Sequence, residues 1–358
     1  MLLLQKQIQK SRRKRNWLIA IFLIISLLIW QKSWIVYFYQ QFRGGYHVAF
    51  DTRPLQEVLQ DKTVPDSLKK RILFIAEVKK FATDTLHLQD NPKVYQTLHD
   101  QKGKVLSYLL TVAEPYKMEA KQFSFPIVGW IIGDFTYKGF FDSTAAFQEQ
   151  KYYQSAGYDT NMGTAAAYST LGWLPEPILS SMLLHYSDYD LANTIIHEMT
   201  HGTIFVKNNH ELSENLANFV GGYGAKRFLK SKLGADSEQF KDLIESFGNR
   251  KKRNEHRNRG TLQLDSLYRT FSTNMSKNYK DSLKYALIEK IIRKQDTLGA
   301  SFSKFSTLKI AKNDLPNNAF FISFKTYNSK QNEFELQFKN EFGENFDSFL
   351  EYLKKKYN

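Results

Sequence analysis

Residues 195–224 read IIHEMTHGTIFVKNNHELSENLANFVGGYG, and this stretch decides the expected fold and site. Its first seven residues hold an H-E-x-x-H motif within a run of helical spacing. On a helix, His197 and His201 are four residues apart, so both imidazoles project from one face and can share one cation. Glu198 lies about 100° around that helix. There its carboxylate can take a proton from a water molecule whose pKa the cation has lowered.

A second helix is expected to supply a third ligand. A turn at 207–210 lets the chain double back, and Glu214 then lies on the side opposite an apolar face. Ala217 and Gly221 share the side of Glu214, and small residues permit close approach of two helices. The apolar face comprises Leu212, Leu216, Phe219, Val220 and Tyr223. A catalytic zinc takes three protein ligands and keeps one open position, so this pattern predicts a site for one Zn²⁺.

The ligands expected for this ion are His197, His201 and Glu214, with Glu198 as general base. His210 and Glu211 are alternative ligands, although at the turn they reach back to the metal less easily. A second interpretation makes the face of Glu214 an ordinary solvated surface. A lone H-E-x-x-H motif is also compatible with a helix that binds no metal. The third ligand at Glu214 therefore strengthens the prediction of a metal site.

Composition excludes several kinds of site. The chain has 358 residues, of which 42% are hydrophobic and 15% aromatic, enough for an extensive core. It contains no cysteine. A disulfide, a thiolate nucleophile and a cysteine-ligated zinc are therefore impossible, and metal ligands must come from His, Asp or Glu.

The formal net charge of +14 suggests nucleic-acid binding at first sight. Six basic residues fall within the first sixteen, however, beside an apolar run. A second cluster, RKKRNEHRNR at 250–259, has no interleaved aromatic residues on which bases could stack. We interpret it as a solvated loop or helix face and expect no nucleic-acid partner.

The amino-terminal region predicts a membrane anchor. Residues 17–30 read WLIAIFLIISLLIW, and the apolar run resumes as WIVYFY at 34–39. We expect a basic cytoplasmic segment at 1–16, a single transmembrane signal anchor at 17–39 and a metallopeptidase domain at 40–358 outside the cytoplasm. A cleaved signal peptide and a buried soluble helix are the alternatives; the first lacks an A-x-A-like cleavage site.

After residue 40 the pattern predicts a mainly helical α+β chain with a small sheet. Helical spacing runs through 54–88, and 97–113 is expected to form another helix. A hairpin is predicted at 123–141, and Asp142 is expected to cap a helix that ends near 155. An exposed strand is predicted at 159–169. Further helices are expected at 190–234, 262–296 and 343–356.

Several of these stretches resemble a bacterial family of predicted zinc aminopeptidases. The matching segments are YFYQQFRGG at 37–45, FSFPIVG at 123–129, YKGFFD at 137–142, AYSTLGWLPEPILSSML at 167–183, HEMTH at 197–201, SENLANFV at 213–220 and LPNNAFFISFKTY at 315–327. In that family a Glu follows the second His by thirteen residues, and Glu214 matches it. The resemblance implies a zincin-like, gluzincin-type peptidase with two His and one Glu on zinc.

The chain departs from the family pattern at several positions, none of which removes an expected metal ligand or the general base. Gly202 replaces a Gln, Ser213 an Asn and Gly221 a Glu, while Ser124 and Trp130 stand where relatives carry cysteines. The resemblance alone implies an aminopeptidase that acts on peptides. An exopeptidase must hold an α-ammonium with carboxylates, and acidic residues such as Glu176 are present, but no amine-binding motif is recognisable.

Other site residues are less strongly indicated. A tetrahedral intermediate needs a donor near its oxyanion, and Tyr168 is the first candidate, ahead of Tyr137 and Tyr327. Asp159 and Asn218 are candidates for orienting a ligand imidazole. The competing functional interpretation is a non-catalytic, membrane-anchored envelope module with a structural or degenerate metal site.

Overall fold

The computed structural model describes residues 16–17, 32–90, 94–124, 135–165, 168, 174–204, 206, 209–296, 314–328 and 331–357. The chain divides into two compact units, Met1–His47 and Val48–Asn358. Most of the predicted anchor, at 18–31, lies outside the described residues. Within the described ranges, no helix combines the length and apolar character needed to cross a bilayer.

Helices dominate the described chain. They are α1 (Lys32–Phe50), α2 (Leu55–Gln60), α3 (Asp66–Asp84), α4 (Ser143–Ser155), α5 (Ser180–His185), α6 (Asp188–Thr203), α7 (His210–Leu233), α8 (Glu238–Arg269), α9 (Lys277–Asp296), α10 (Asn318–Asn328), α11 (Gln331–Phe342) and α12 (Phe346–Tyr357). The strands are β1 (Arg53–Pro54), β2 (Val94–His99), β3 (Tyr108–Ala113), β4 (Lys138–Phe140), β5 (Asp159–Thr164) and β6 (Glu176–Leu179). The expected mainly helical fold with a small sheet is confirmed at this level.

The strands form two small sheets. In the order β1-β2-β6, β2 pairs antiparallel with β1 and parallel with β6. In the order β4-β3-β5, β3 is the central strand and both of its pairings are antiparallel. The first sheet matters for the site, because its parallel register sets Val94 opposite Glu176.

The helix predicted at 97–113 is wrong, since β2 and β3 occupy this region. Both strands are rich in β-branched and aromatic residues, which fit a pleated and half-buried surface. Between them the chain turns: the side chain of Asp100 accepts a hydrogen bond from the Lys102 amide at 2.9 Å. Gly103 follows with a φ of +74°, a conformation that glycine adopts without steric cost.

Other predicted elements agree with the structure more closely. The 54–88 region is helical but broken into α2 and α3, because Pro65 immediately precedes α3 and disfavours helical geometry in the residue before it. Asp142 caps α4 by accepting from the Ala145 amide at 2.7 Å, as predicted. Most of the predicted hairpin, at 125–134, lies outside the described residues, and Phe123 and Phe135 form an antiparallel bridge at its base.

The region predicted as an exposed strand, 159–169, forms β5 over its first six residues. Asp159 and Thr160 are buried, so the expectation of exposure is wrong there. The basic segment 250–259 lies inside α8, with Arg250 to Lys252 exposed. His256 is the buried exception, with Nε2 2.8 Å from the Ile291 carbonyl oxygen.

Two hydrophobic clusters form the core of Val48–Asn358. The larger one packs α3, β2, β6, α6 and α7 together with the carboxy-terminal helices, and it surrounds the helix pair that carries the predicted site. The smaller one joins α8, α9 and α10 to the end of β3. In this second region Lys284, with 1% of its side chain exposed, pairs with Asp159.

Candidate metal centre

Helix α6 carries His197, Glu198 and His201. Ser187 caps this helix, with its hydroxyl accepting from the Asp190 amide at 3.1 Å. One face of α6 is apolar and buried in the larger core, including Leu191, Ile195, Ile196 and Met199. The two histidines lie one turn apart, and their Nε2 atoms are 3.1 Å from each other.

Helix α7 brings Glu214 to the same point. Asn209 caps α7 by accepting from the Leu212 amide at 2.9 Å. One carboxylate oxygen of Glu214 lies 3.3 Å from His201 Nε2, and the other lies 3.5 Å from His197 Nε2. One donor atom from each of the three residues falls within 4.8 Å of the others. This His-His-Glu group could therefore hold a metal ion.

The close approach of α6 and α7 depends on Gly221. A Cβ atom built at this position would lie 2.8 Å from Asn193 Oδ1, 2.9 Å from the Asn193 carbonyl oxygen and 3.2 Å from His197 Cβ. Any side chain here would push α7 away from the backbone of α6. The small-residue side of α7 thus faces the helix that carries the histidines.

Hydrogen bonds behind the imidazoles hold the two rings. Ser213 Oγ lies 3.4 Å from His201 Nδ1, and Asn218 hydrogen-bonds to the His197 side chain. Burial lowers the pKa of His197, but the hydrogen bond with Glu214 and the nearby carboxylates outweigh it and raise this pKa overall. Burial opposes ionisation of Glu214 as well, yet its two histidine partners hold its pKa well below the usual range.

Glu198 is enclosed beside this group. Burial raises its pKa, the two histidines oppose that effect, and Glu176 and Glu214 add to it. Among the residues that the structure describes, Glu198 Oε2 has neither solvent contact nor a hydrogen-bond partner. An unsatisfied buried oxygen is unusual, and it marks a position where a reacting group or an ordered water can bind.

The remaining sequence-predicted residues lie in different surroundings. Tyr168 packs partly buried against the larger core; burial and then Glu176 raise its pKa to about 12. Asp159 lies beside the smaller core, where its carboxylate accepts hydrogen bonds from Lys284 and from the Asn318 amide. These partners are not the histidines that Asp159 was a candidate to orient. Side chains of His210, Glu211 and Tyr327 lie outside the described residues. The ring of Tyr137 packs 6.3 Å from that of Phe135.

Tyr95 is a site residue that sequence reasoning missed. It lies on β2, where the pairing with β6 becomes irregular between Val94 and Leu98. Its φ is 58°, a left-handed conformation that a bulky residue adopts only under constraint. Tyr95 is 3% exposed, and within the described chain its hydroxyl has no hydrogen-bond partner. Burial, then Glu198 and Glu176, raise the pKa of this phenol.

Glu176 is the second residue whose placement the sequence did not show. It begins β6, is 3% exposed and influences the charge of Glu198, Tyr95 and Tyr168. The sequence offers a Glu between two prolines, LPEPIL, which carries no recognisable functional pattern. The folded chain buries this carboxylate close enough to Glu198 to act on its charge.

A cavity of about 760 Å³ lies beside the ligand-bearing helices. Asn193 of α6 and Asn218 of α7 contribute to its wall, together with residues of α8 and α11. The wall does not include the histidines or Glu214. The cavity therefore borders the helix pair from the side.

No curated protein and no solved structure matches this chain. A family model does match it, over residues 36–357, and that model carries the description "Putative aminopeptidase". The match extends across α6 and α7 and nearly all the rest of the chain. The protein therefore belongs to this aminopeptidase family, and membership implies that it is a peptidase.

Proposed function

We propose that this protein is a zinc-dependent peptidase with a zincin-like site, in which His197, His201 and Glu214 hold one Zn²⁺. Glu198 acts as general base. The observation that carries the proposal is the convergence of two imidazole nitrogens and a carboxylate on one point, with separations of 3.1, 3.3 and 3.5 Å.

These separations, in which each imidazole faces a different oxygen of Glu214, are close to those expected around zinc. Bonds of about 2.0–2.2 Å in a tetrahedral arrangement separate neighbouring ligand atoms by about 3.3–3.5 Å. Imidazole and carboxylate are donors that zinc accepts, and three protein ligands are the usual number at a catalytic zinc. Ser213 and Asn218 supply the outer hydrogen bonds that orient ligand imidazoles at such centres.

A bound zinc ion would supply Lewis acidity, which makes water a better nucleophile at neutral pH. Glu198 Oε2, with no other partner among the described residues, accepts a proton from the attacking water. The same carboxylate then donates that proton to the leaving nitrogen. Tyr168 is proposed as the donor that stabilises charge on the carbonyl oxygen.

We also propose that residues 17–39 anchor the enzyme in a membrane as a single span. The support is the apolar sequence and the six basic residues that precede it, which by the positive-inside rule favour a cytoplasmic location for residues 1–16. The metallopeptidase domain, 40–358, then acts on peptides outside the cytoplasm.

The test is the zinc content and peptidase activity of the full-length protein beside Glu198→Gln, with exposed Glu57→Gln as matched control. We expect one zinc per chain in all three proteins. Activity should fall by about 10²–10⁴-fold in Glu198→Gln, the contribution of a positioned general base. Equal activity of this variant and the parent would refute the assignment. Zinc-loaded protein without hydrolysis of any peptide would favour the non-catalytic envelope module.

A further inference from the structure

The cavity beside the ligand-bearing helices begins one helical turn from the metal centre. On α6, Asn193 precedes His197 by four residues, and on α7, Asn218 follows Glu214 by four. The cavity volume of about 760 Å³ lies within the range of about 300–1,000 Å³ that is usual for small-molecule sites. Its described wall includes neither the histidines nor the carboxylates of the metal centre. A ligand of this cavity would therefore bind separately from the metal.

Two packed aromatic rings carry two cations at this wall. The ring centroids of Tyr189 and Phe247 are 4.2 Å apart. The Lys226 ammonium lies 4.8 Å from the centroid of Phe247, and the central carbon of the Arg250 guanidinium lies 5.5 Å from that of Tyr189. All four residues line the cavity. The contact with Phe247 uses none of the three N–H donors of Lys226, so they stay available to a ligand.

One positive charge at this wall lacks an acidic partner. Lys251 pairs with Glu335 at 2.8 Å, and Arg250 lies 3.4 Å from Asp190. Lys226 is open to solvent, and within the described part of the chain it forms no ion pair. Partial desolvation lowers the pKa of Lys226; Glu335 opposes this effect, whereas Lys251 and Arg250 add to it. An anion bound beside Lys226 would relieve this concentration of positive charge.

The other groups of the wall indicate which anion fits. One uncompensated positive charge matches a carboxylate better than a phosphate monoester, which carries about −1.5 to −2 charges at pH 7. The remaining charged residues of the described wall do not act on Lys226; they are Glu255, Lys339 and Glu344. Amide side chains, which can donate to and accept from a peptide group, also line the cavity at Asn193, Asn218, Asn254 and Asn258. A carboxylate, an amide and an apolar side chain occur together at the carboxyl end of a peptide.

We infer that this cavity binds the carboxyl-terminal end of a short peptide, with the carboxylate at Lys226 and Arg250 and the terminal side chain against the aromatic wall. The planar guanidinium of Arg250 suits a carboxylate, and the lysine supplies the charge that balances it. This site goes beyond the proposed peptidase function, because it is separate from the residues that would hold zinc. It also gives a role to one face of the basic segment 250–259 of α8.

Calorimetry with the full-length protein tests the site with two probes. N-acetyl-L-phenylalanine carries the carboxylate, one amide and an aromatic side chain, and N-acetyl-L-phenylalaninamide lacks the charge. We expect the acid to bind about 10-fold more tightly than the amide, as a hydrogen-bonded charge pair should produce. Equal affinities for the two probes would overturn the inference.

Variants of α7 locate the carboxylate. Lys226→Met should lower the affinity for the acid about 10-fold and leave that for the amide unchanged, whereas Lys226→Arg should retain most of the preference. Lys230→Met is the matched control, because Lys230 is exposed on the same helix, carries the same charge and does not line the described wall. It should leave both affinities unchanged. A preference that persists in Lys226→Met would place the carboxylate elsewhere, such as at the metal centre. An equal loss in Lys230→Met would reveal an effect of net charge alone. Either result would overturn the site.

Inorganic phosphate separates a carboxylate site from a general anion site. It should bind more weakly than N-acetyl-L-phenylalanine; equal or tighter binding of phosphate would overturn the assignment to a peptide. None of these outcomes depends on catalysis. Lys226-dependent binding of the acid to a protein that hydrolyses no peptide would contradict the proposed function and support this site.

Discussion

The Nε2 atoms of His197 and His201 lie 3.1 Å apart on successive turns of α6. Such proximity is unfavourable when both rings are protonated, because two positive charges would be enclosed together. The carboxylate of Glu214 lies within 3.5 Å of both nitrogens and relieves this repulsion. A shared divalent ion would allow the two imidazoles to lie this close with both rings neutral. The proposed metal centre is based on this arrangement.

Asn218 should control metal affinity without contacting the ion. Because it hydrogen-bonds to His197, Asn218→Ala frees that ring to rotate, and zinc affinity should fall by about 10–100-fold. Competition with a chromophoric chelator measures the change. Asn218→Asp keeps an acceptor at this position and should recover part of the loss. Unchanged affinity in Asn218→Ala would show that the ring is held by other contacts.

Gly221→Ala should separate α6 from α7. The added methyl meets the Asn193 backbone oxygen at 2.9 Å and His197 Cβ at 3.2 Å, so the helices must move. We expect a loss of about 1–3 kcal/mol in unfolding free energy, together with weaker zinc binding.

Gly202→Ala is the matched control for this substitution. Gly202 also lies in a helix of the site, but a Cβ there meets nothing within 4 Å among the described atoms. It should stabilise the protein by about 0.5–1 kcal/mol. Urea unfolding of both variants tests the pair, and equal effects would contradict the packing argument.

The buried pair Lys284–Asp159 should support the smaller core. Lys284 Nζ also donates to the Pro115 carbonyl at 2.9 Å, and Asp159 accepts from the Asn318 amide at 3.0 Å. Lys284→Met leaves a carboxylate buried without its cation, which should cost about 3–5 kcal/mol. The double variant with Asp159→Asn should be more stable than Lys284→Met in denaturant unfolding. If adding Asp159→Asn gives no recovery, the unpaired charge is not the cause.

Alkaline pH should destabilise the protein through buried tyrosines. Burial raises the pKa of Tyr189 to about 12, although Arg250 acts in the opposite direction. Because the folded pKa lies above the unfolded value of 10.0, the stabilisation is complete below pH 10 and is lost as pH rises through about 12. The contribution is at most about 2–3 kcal/mol. Melting temperatures should fall less steeply between pH 10 and 12 in Tyr189→Phe than in the parent; parallel curves would exclude this group.

The parts of the structure that follow from local spacing could be predicted from the sequence. His197 and His201 share a face because they are four residues apart, and Glu214 lies on the next helix after a short connection. The cap at Asp142 is equally local. The proximity of His197, His201 and Glu214 can thus be predicted largely from local sequence. Their roles as metal ligands belong to the proposed function.

Long-range pairing explains what the sequence could not show. The spacing of residues 97–113 predicts a helix, whereas the structure has β2 and β3 there, separated by a turn at Asp100 and Gly103. Tyr95 and Glu176 are 81 positions apart and meet only through the parallel pairing of β2 with β6. The pair Lys284–Asp159 joins positions 125 residues apart. No periodicity within one segment encodes such contacts.

The most direct measurement of the central claim is an anomalous-difference map at the zinc edge from crystals of the zinc-loaded protein. The proposal predicts one peak, about 2.0–2.2 Å from the Nε2 atoms of His197 and His201 and from a Glu214 oxygen, with one position open beside Glu198. A peak elsewhere would contradict it. So would a closed site with a fourth protein ligand, such as His210 or Glu211.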